Sequence, residues 1–160
     1  MTHTINKSNY QTTTPTGLYE ANFRRLLRLV PGVSKLLIND EFLLPASKIS
    51  LAILEQYKYT TVLSLQQSLQ TNVTTYLKEH LKAITHLSSI DMELRVCHDA
   101  RLVEVIGYQG KSPIQSAYVY PNKHMLQIDE KRQLNLFLKD VLERSLKTEK
   151  YRKFINSSCE

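Results

Sequence analysis

The chain has 160 residues, 42% of them hydrophobic and 22% charged, a composition that suits one globular domain and excludes a disordered or fibrous chain. Its formal net charge of +6 permits an acidic partner such as nucleic acid, but the basic clusters at Arg24, Arg25 and Arg28 and at Lys147, Lys150, Arg152 and Lys153 also suit solvated helix faces. Two cysteines, Cys97 and Cys159, build no disulfide framework, no stretch is apolar enough to span a membrane, and the first twenty residues lack the apolar core of a signal peptide, so the expected compartment is the cytoplasm.

Residues 1–15 read as a polar, disordered arm. Thr16 is placed to cap a helix that starts at Gly17 and turns Leu18, Phe23, Leu26, Leu27 and Val30 to one side. Pro31-Gly32 stops it. The apolar runs Leu36–Ile38 and Phe42–Leu44 fit either a strand and turn or packed loop. Then Ile49, Leu51 and Ile53 alternate with their neighbours, as do Tyr59, Thr61, Leu63 and Leu65, around the short joint Glu55–Lys58. Period-two alternation about a short polar joint predicts an antiparallel hairpin.

Val73, Leu77, Leu81 and Ile84 recur at helical spacing and predict a middle helix over 72–86. A second hairpin follows, with Met92, Leu94 and Val96 alternating on one arm and Leu102 to Ile106 on the other, joined at His98-Asp99-Ala100. Ile114, Ser116, Tyr118 and Tyr120 alternate as a candidate fifth strand that Pro121-Asn122 ends. Leu134, Phe137, Leu138, Val141, Leu142 and Leu146 hold the spacing of an amphipathic helix, with acidic residues at its start and basic ones near its end, in the order the helix dipole favours. The expected architecture is α+β: an antiparallel sheet of four to five strands built from hairpins, with N-terminal and C-terminal helices packed on it and an additional middle helix. One domain over 16–147 and a basic, frayed tail over 148–160 complete the expectation.

Three long segments carry a resemblance: Tyr57-Lys58-Tyr59-Thr60-Thr61; Arg95 through Val105; and Tyr118-Val119-Tyr120-Pro121-Asn122-Lys123 with Asp129 through Leu138. Together with Leu18 through Leu29 they resemble the YqiB-like family of small bacterial cytoplasmic proteins, a domain of unknown function. The resemblance covers roughly residues 17–146. It implies a name and a compartment, and no reaction. Residues 72–90 depart from it by being longer and more helix-like than the family's link, and the basic tail after Lys147 departs as well.

His98, Asp99 and Arg101 sit at a hairpin turn, where an acid–base pair, a grip on a polar ligand and a plain Asp-stabilised turn are the competing readings. Asn122 and Lys123, followed by Asp129, Glu130 and Lys131, form a polar junction that either presents a contact surface or caps the last helix through Asp129. Tyr57, Tyr59, Tyr118 and Tyr120 come in pairs two residues apart, suited to packing at a sheet edge or to stacking bases beside Lys58, Lys123 and Arg101. No metal-ligand, Walker, dinucleotide or nucleophile-elbow motif appears, and no cofactor is expected. The leading expectation is a binding or adaptor module acting through protein or small-ligand contacts at His98–Arg101 and Tyr120–Lys131. Nucleic-acid binding is the alternative, followed by a small hydrolase-like enzyme using Asp99, His98 or Glu130. Edge strands leave a homodimer open.

Overall fold

A computed structural model of the chain describes residues 14–68, 89–110, 113–114 and 129–157, with side chains through Lys150. Helix α1 spans Pro15–Leu29. Its cap is Thr14 and not the expected Thr16: the Thr14 hydroxyl accepts the N–H of Gly17 at 3.2 Å. Pro15 decides between the two threonines, because its fixed φ and missing N–H suit the first helical position.

Five strands follow: β1 (Glu41–Leu44), β2 (Ile49–Gln56), β3 (Thr60–Ser68), β4 (Ser89–Cys97) and β5 (Leu102–Tyr108). They form one antiparallel sheet in chain order, each strand beside the next. Both expected hairpins are present, β2 with β3 and β4 with β5. The ambiguous stretch before Pro45 resolves into a short 3-10 turn at Val33–Lys35 and the strand β1, so the fifth strand comes from residues 41–44. The strand expected from Ile114 onward lies outside the described residues, except that the Ile114 N–H donates to the Ile106 carbonyl at 2.9 Å. The middle helix expected over 72–86 also lies outside them. The described residues hold two α-helices, and the last, α2, spans Glu130–Ser157. It continues through residues read from sequence as a frayed tail.

Alternation puts Leu51, Ile53, Leu63, Leu65, Met92, Leu94, Val96, Val103 and Val105 on one sheet face, all buried. The core is closed by Phe23 and Leu26 of α1 with Val30 at its C-cap, and by Leu138, Val141 and Leu142 of α2. The two helices pack on one another and on β5. Contacts advance together along both, Asn22 on Asn135 and Arg25 on Glu143, so α1 and α2 run parallel. No helix among the described residues is long and apolar enough to cross a membrane.

Candidate functional site at the hairpin turns

Register brings the turns of both hairpins to one end of the sheet. Thr60 on β3 pairs with Cys97 on β4, and Cys97 pairs with Leu102 on β5, so residues 57–59 and 98–101 lie side by side. The first turn closes through the Tyr57 N–H, which donates to the Thr60 carbonyl at 2.7 Å. The turns are joined to each other where the His98 N–H donates to the Tyr59 carbonyl at 2.9 Å. A second bond joins them through side chains: Thr61 Oγ1 and His98 Nε2 are 2.8 Å apart. The Thr61 side chain is fully buried on the core face, and a buried hydroxyl needs a partner. Burial holds the His98 imidazole below its ordinary pKa, with the Asp99 carboxylate pulling the other way.

Asp99 is spent locally: Oδ1 accepts the N–H of Ala100 at 2.8 Å. Arg101 takes a left-handed backbone, φ 54°, which reverses the chain into β5. Its side chain is exposed, as are those of Asp99, Lys58, Tyr57 and Tyr59. The Tyr57 hydroxyl donates to the Glu55 carboxylate at 3.1 Å, and that bond raises its pKa. Lys58 Nζ stands 4.8 Å from the centre of the Tyr59 ring. The tyrosines therefore sit in the turn with their rings toward solvent: Tyr57 falls in the joint, as the sequence has it, while Tyr59, which alternation places in the following strand, stands just before β3.

A second polar cluster forms where α2 begins. Asp129 stands before the first helical residue: its carbonyl accepts the Gln133 N–H at 3.1 Å and its Oδ2 accepts from Gln133 Nε2 at 3.0 Å. Lys131 Nζ reaches Glu104 Oε2 on β5 at 2.6 Å, while Arg95 on β4 holds Oε1 of the same carboxylate at 3.2 Å. Tyr19 of α1 is near enough to feel both Lys131 and Glu104, though burial is what chiefly raises its hydroxyl pKa. Glu130 Oε2 is buried and accepts no hydrogen bond among the described residues.

Below this cluster runs a buried polar chain that sequence reasoning missed. The Val105 N–H donates to Asn135 Oδ1 at 3.1 Å, Asn135 Nδ2 donates to the Lys131 carbonyl at 2.8 Å, and Asn22 Nδ2 donates to the Asn135 carbonyl at 3.0 Å. Arg25 follows, donating to Asn22 Oδ1 at 3.4 Å and to Glu143 Oε1 at 2.7 Å. The signal available was each asparagine's place among apolar helix neighbours, Leu18 and Phe23 for one, Leu134 and Leu138 for the other.

The first predicted group, His98, Asp99 and Arg101, is thus one turn. Asp129, Glu130 and Lys131 are tied by Lys131 to β5 two residues past Leu102, at the same end of that strand. No hydrogen bond or ion pair joins the two groups among the described residues. Tyr118, Tyr120, Asn122 and Lys123 lie outside those residues. No group of three His, Cys, Asp or Glu side chains suited to a metal ion occurs among the described residues.

A family profile described as "Protein of unknown function (DUF1249)" matches residues 25–151. The chain is 33% identical over 125 residues to "Uncharacterized protein YqiB" of Escherichia coli strain K12, covering 78% of this chain and 81% of that protein. The proteins of the same name from E. coli O6:H1 and O157:H7 match with the same figures. No solved structure matches.

Proposed function

The chain belongs to the DUF1249 family, whose description names no activity, and from that premise we propose that it is a binding or adaptor module whose contact surface is the sheet end made by the two hairpin turns. The observation that carries this reading is the pair of bonds from His98, to the Tyr59 carbonyl and to the Thr61 hydroxyl, which lock two turns into one platform. Turns on a rigid sheet are places where proteins put recognition residues. This platform offers two exposed tyrosine rings beside Lys58, Arg101 and Asp99. Tyrosine and arginine are enriched among the residues that dominate binding energy at protein interfaces, because both pair apolar area with directional hydrogen bonds. Acid–base chemistry at this turn is disfavoured, since Asp99 Oδ1 and His98 Nε2 both already serve local hydrogen bonds.

The test is in-cell photo-crosslinking from position 59 in the full chain, with the captured species read by mass spectrometry. The expected result is one dominant adduct, a protein or a small polar molecule, that disappears in Tyr57→Ala/Arg101→Gly while circular dichroism stays unchanged. An adduct pattern indifferent to those substitutions sinks the reading.

A further inference from the structure

The net charge of this protein resides in the two described helices. α1 and α2 together contain eleven of the 21 Lys and Arg residues but five of the 15 Asp and Glu, a balance of +6 that equals the charge of the whole chain; the sheet, turns and remaining segments, with ten of each sign, are neutral. Two of those five acids are engaged, Glu143 with Arg25 and Glu149 with the N–H and hydroxyl of Ser47. By contrast, Arg24, Arg28, Arg132, Arg144 and Lys147 are all exposed and take part in no ion pair among the described residues.

Placement sharpens the pattern. The helices run parallel, and the Arg25–Glu143 contact fixes their register. Arg28 lies about one turn beyond Arg25 on α1, and Lys147 about one turn beyond Glu143 on α2, so cations outnumber the acids on the solvent side of this helix pair, where Asp140 and Glu143 are the carboxylates beside Arg144 and Lys147. The helix dipole accounts for Arg28, which is in the last turn of α1. It does not account for Arg144, Lys147 or Lys150, which stand well inside a helix that ends at Ser157. Unpaired like charges on adjoining helices repel, so this face costs stability and fits a polyanion.

We propose that the outward face of the α1–α2 pair binds the phosphate backbone of a nucleic-acid duplex. A duplex is favoured over unpaired strands because no fully exposed aromatic ring lies on this face among the described residues to stack on open bases; the exposed tyrosines, Tyr57 and Tyr59, are at the sheet end. It is favoured over an anionic membrane because a helix lying in a bilayer surface buries an apolar stripe, and the apolar side of α2, Leu138, Val141 and Leu142, is already in the core. Recognition through phosphates carries no base preference. This face is distinct from the turn platform, so either proposal stands without the other.

The experiment is fluorescence anisotropy of the full chain against labelled duplex RNA and duplex DNA, matched single strands, and vesicles containing anionic lipid. With about four phosphate contacts, duplex affinity falls on the order of 100-fold between about 50 and 200 mM salt. Arg24→Glu/Arg28→Glu/Lys147→Glu abolishes duplex binding, whereas Tyr57→Ala/Tyr59→Ala leaves it intact. Should the charge-reversed protein lose its helical spectrum, the glutamine version of the same three positions is expected to weaken binding and flatten the salt slope. Comparable binding to duplex RNA and DNA supports backbone recognition. Absence of duplex binding at the lower salt, unchanged binding by the folded variant, vesicle binding without duplex binding, or single-strand binding that the tyrosine variant removes would each overturn the proposal.

Discussion

Asn135 on α2 holds strand β5: its Oδ1 accepts the backbone N–H of Val105 at 3.1 Å, in a fully buried setting. A buried backbone N–H needs an acceptor, and here a helix side chain supplies it. The same residue's carbonyl receives Asn22 from α1, so one asparagine links both helices to β5.

Asn135→Ala removes the acceptor and strands a buried N–H. The expected loss is about 1–3 kcal/mol of unfolding free energy, partly offset by alanine's better helix propensity. Asn22→Ala should cost less, because the Asn135 carbonyl lies inside α2 and retains its helical partner. Urea titrations of both variants check the ranking. The reverse order would mean that the Val105 bond contributes little.

These asparagines also show where the sequence was readable. The hairpins are legible because β2, β3 and β4 carry alternating apolar residues and Leu102–Ile106 is a compact apolar run beside them, and a one-residue slip would turn Leu51, Leu94 and Val105 away from the core. Strand β1 was not, since Phe42-Leu43-Leu44 is too short for a period and owes its conformation to pairing with Ile49–Leu51 of β2. The end of α2 was misplaced because apolar spacing stops at Leu146, while the helix goes on with a largely polar run. The turn at His98 was read correctly as a turn, but its contact with Thr61 spans 37 positions and joins two hairpins, which no local pattern encodes. The roles of Asn22 and Asn135 are not legible in the sequence, because a polar residue in a helix ordinarily reads as a solvated position.

Arg101 offers a substitution that separates stability from contact. At φ 54° a side chain is strained and glycine is not. Arg101→Gly should stabilise the fold by about 1 kcal/mol, and Arg101→Val should destabilise it by at least as much, because β-branching worsens the left-handed conformation. Thermal melts of the pair decide this. A destabilised glycine variant would show that the Arg101 side chain contributes more packing than its exposure suggests.

Glu104 accepts two cations of unequal exposure: the Arg95 side chain is 47% exposed and the Lys131 side chain 14%. Breaking the outer contact with Arg95→Ala should cost about 0.5 kcal/mol or less, as surface ion pairs do. Glu104→Ala should cost about 1–3 kcal/mol, because it leaves the Lys131 ammonium largely covered and without its carboxylate. Chemical denaturation at low and high salt separates the two. The Arg95 contribution should vanish on adding salt, while most of the Glu104 contribution should persist.

His98 gives the protein a pH-dependent component of stability whose sign follows from its burial. Its pKa in the folded chain lies below the ordinary 6.5, so the folded state binds a proton less readily than the unfolded state. Stability from this group is therefore complete above the unfolded value and is lost as pH falls through 6.5 toward the folded pKa, below which it falls no further. Protonation makes both ring nitrogens donors, so Nε2 of the charged ring faces the Thr61 oxygen, 2.8 Å away, only as a donor. The measurement is the difference in unfolding free energy between the native chain and His98→Gln, followed from neutral pH down to the onset of carboxylate titration. The difference should shrink on acidification. A difference that stays flat or grows would place the charged imidazole as the favoured partner at the turn, and would reverse the assignment of burial as the dominant influence on His98.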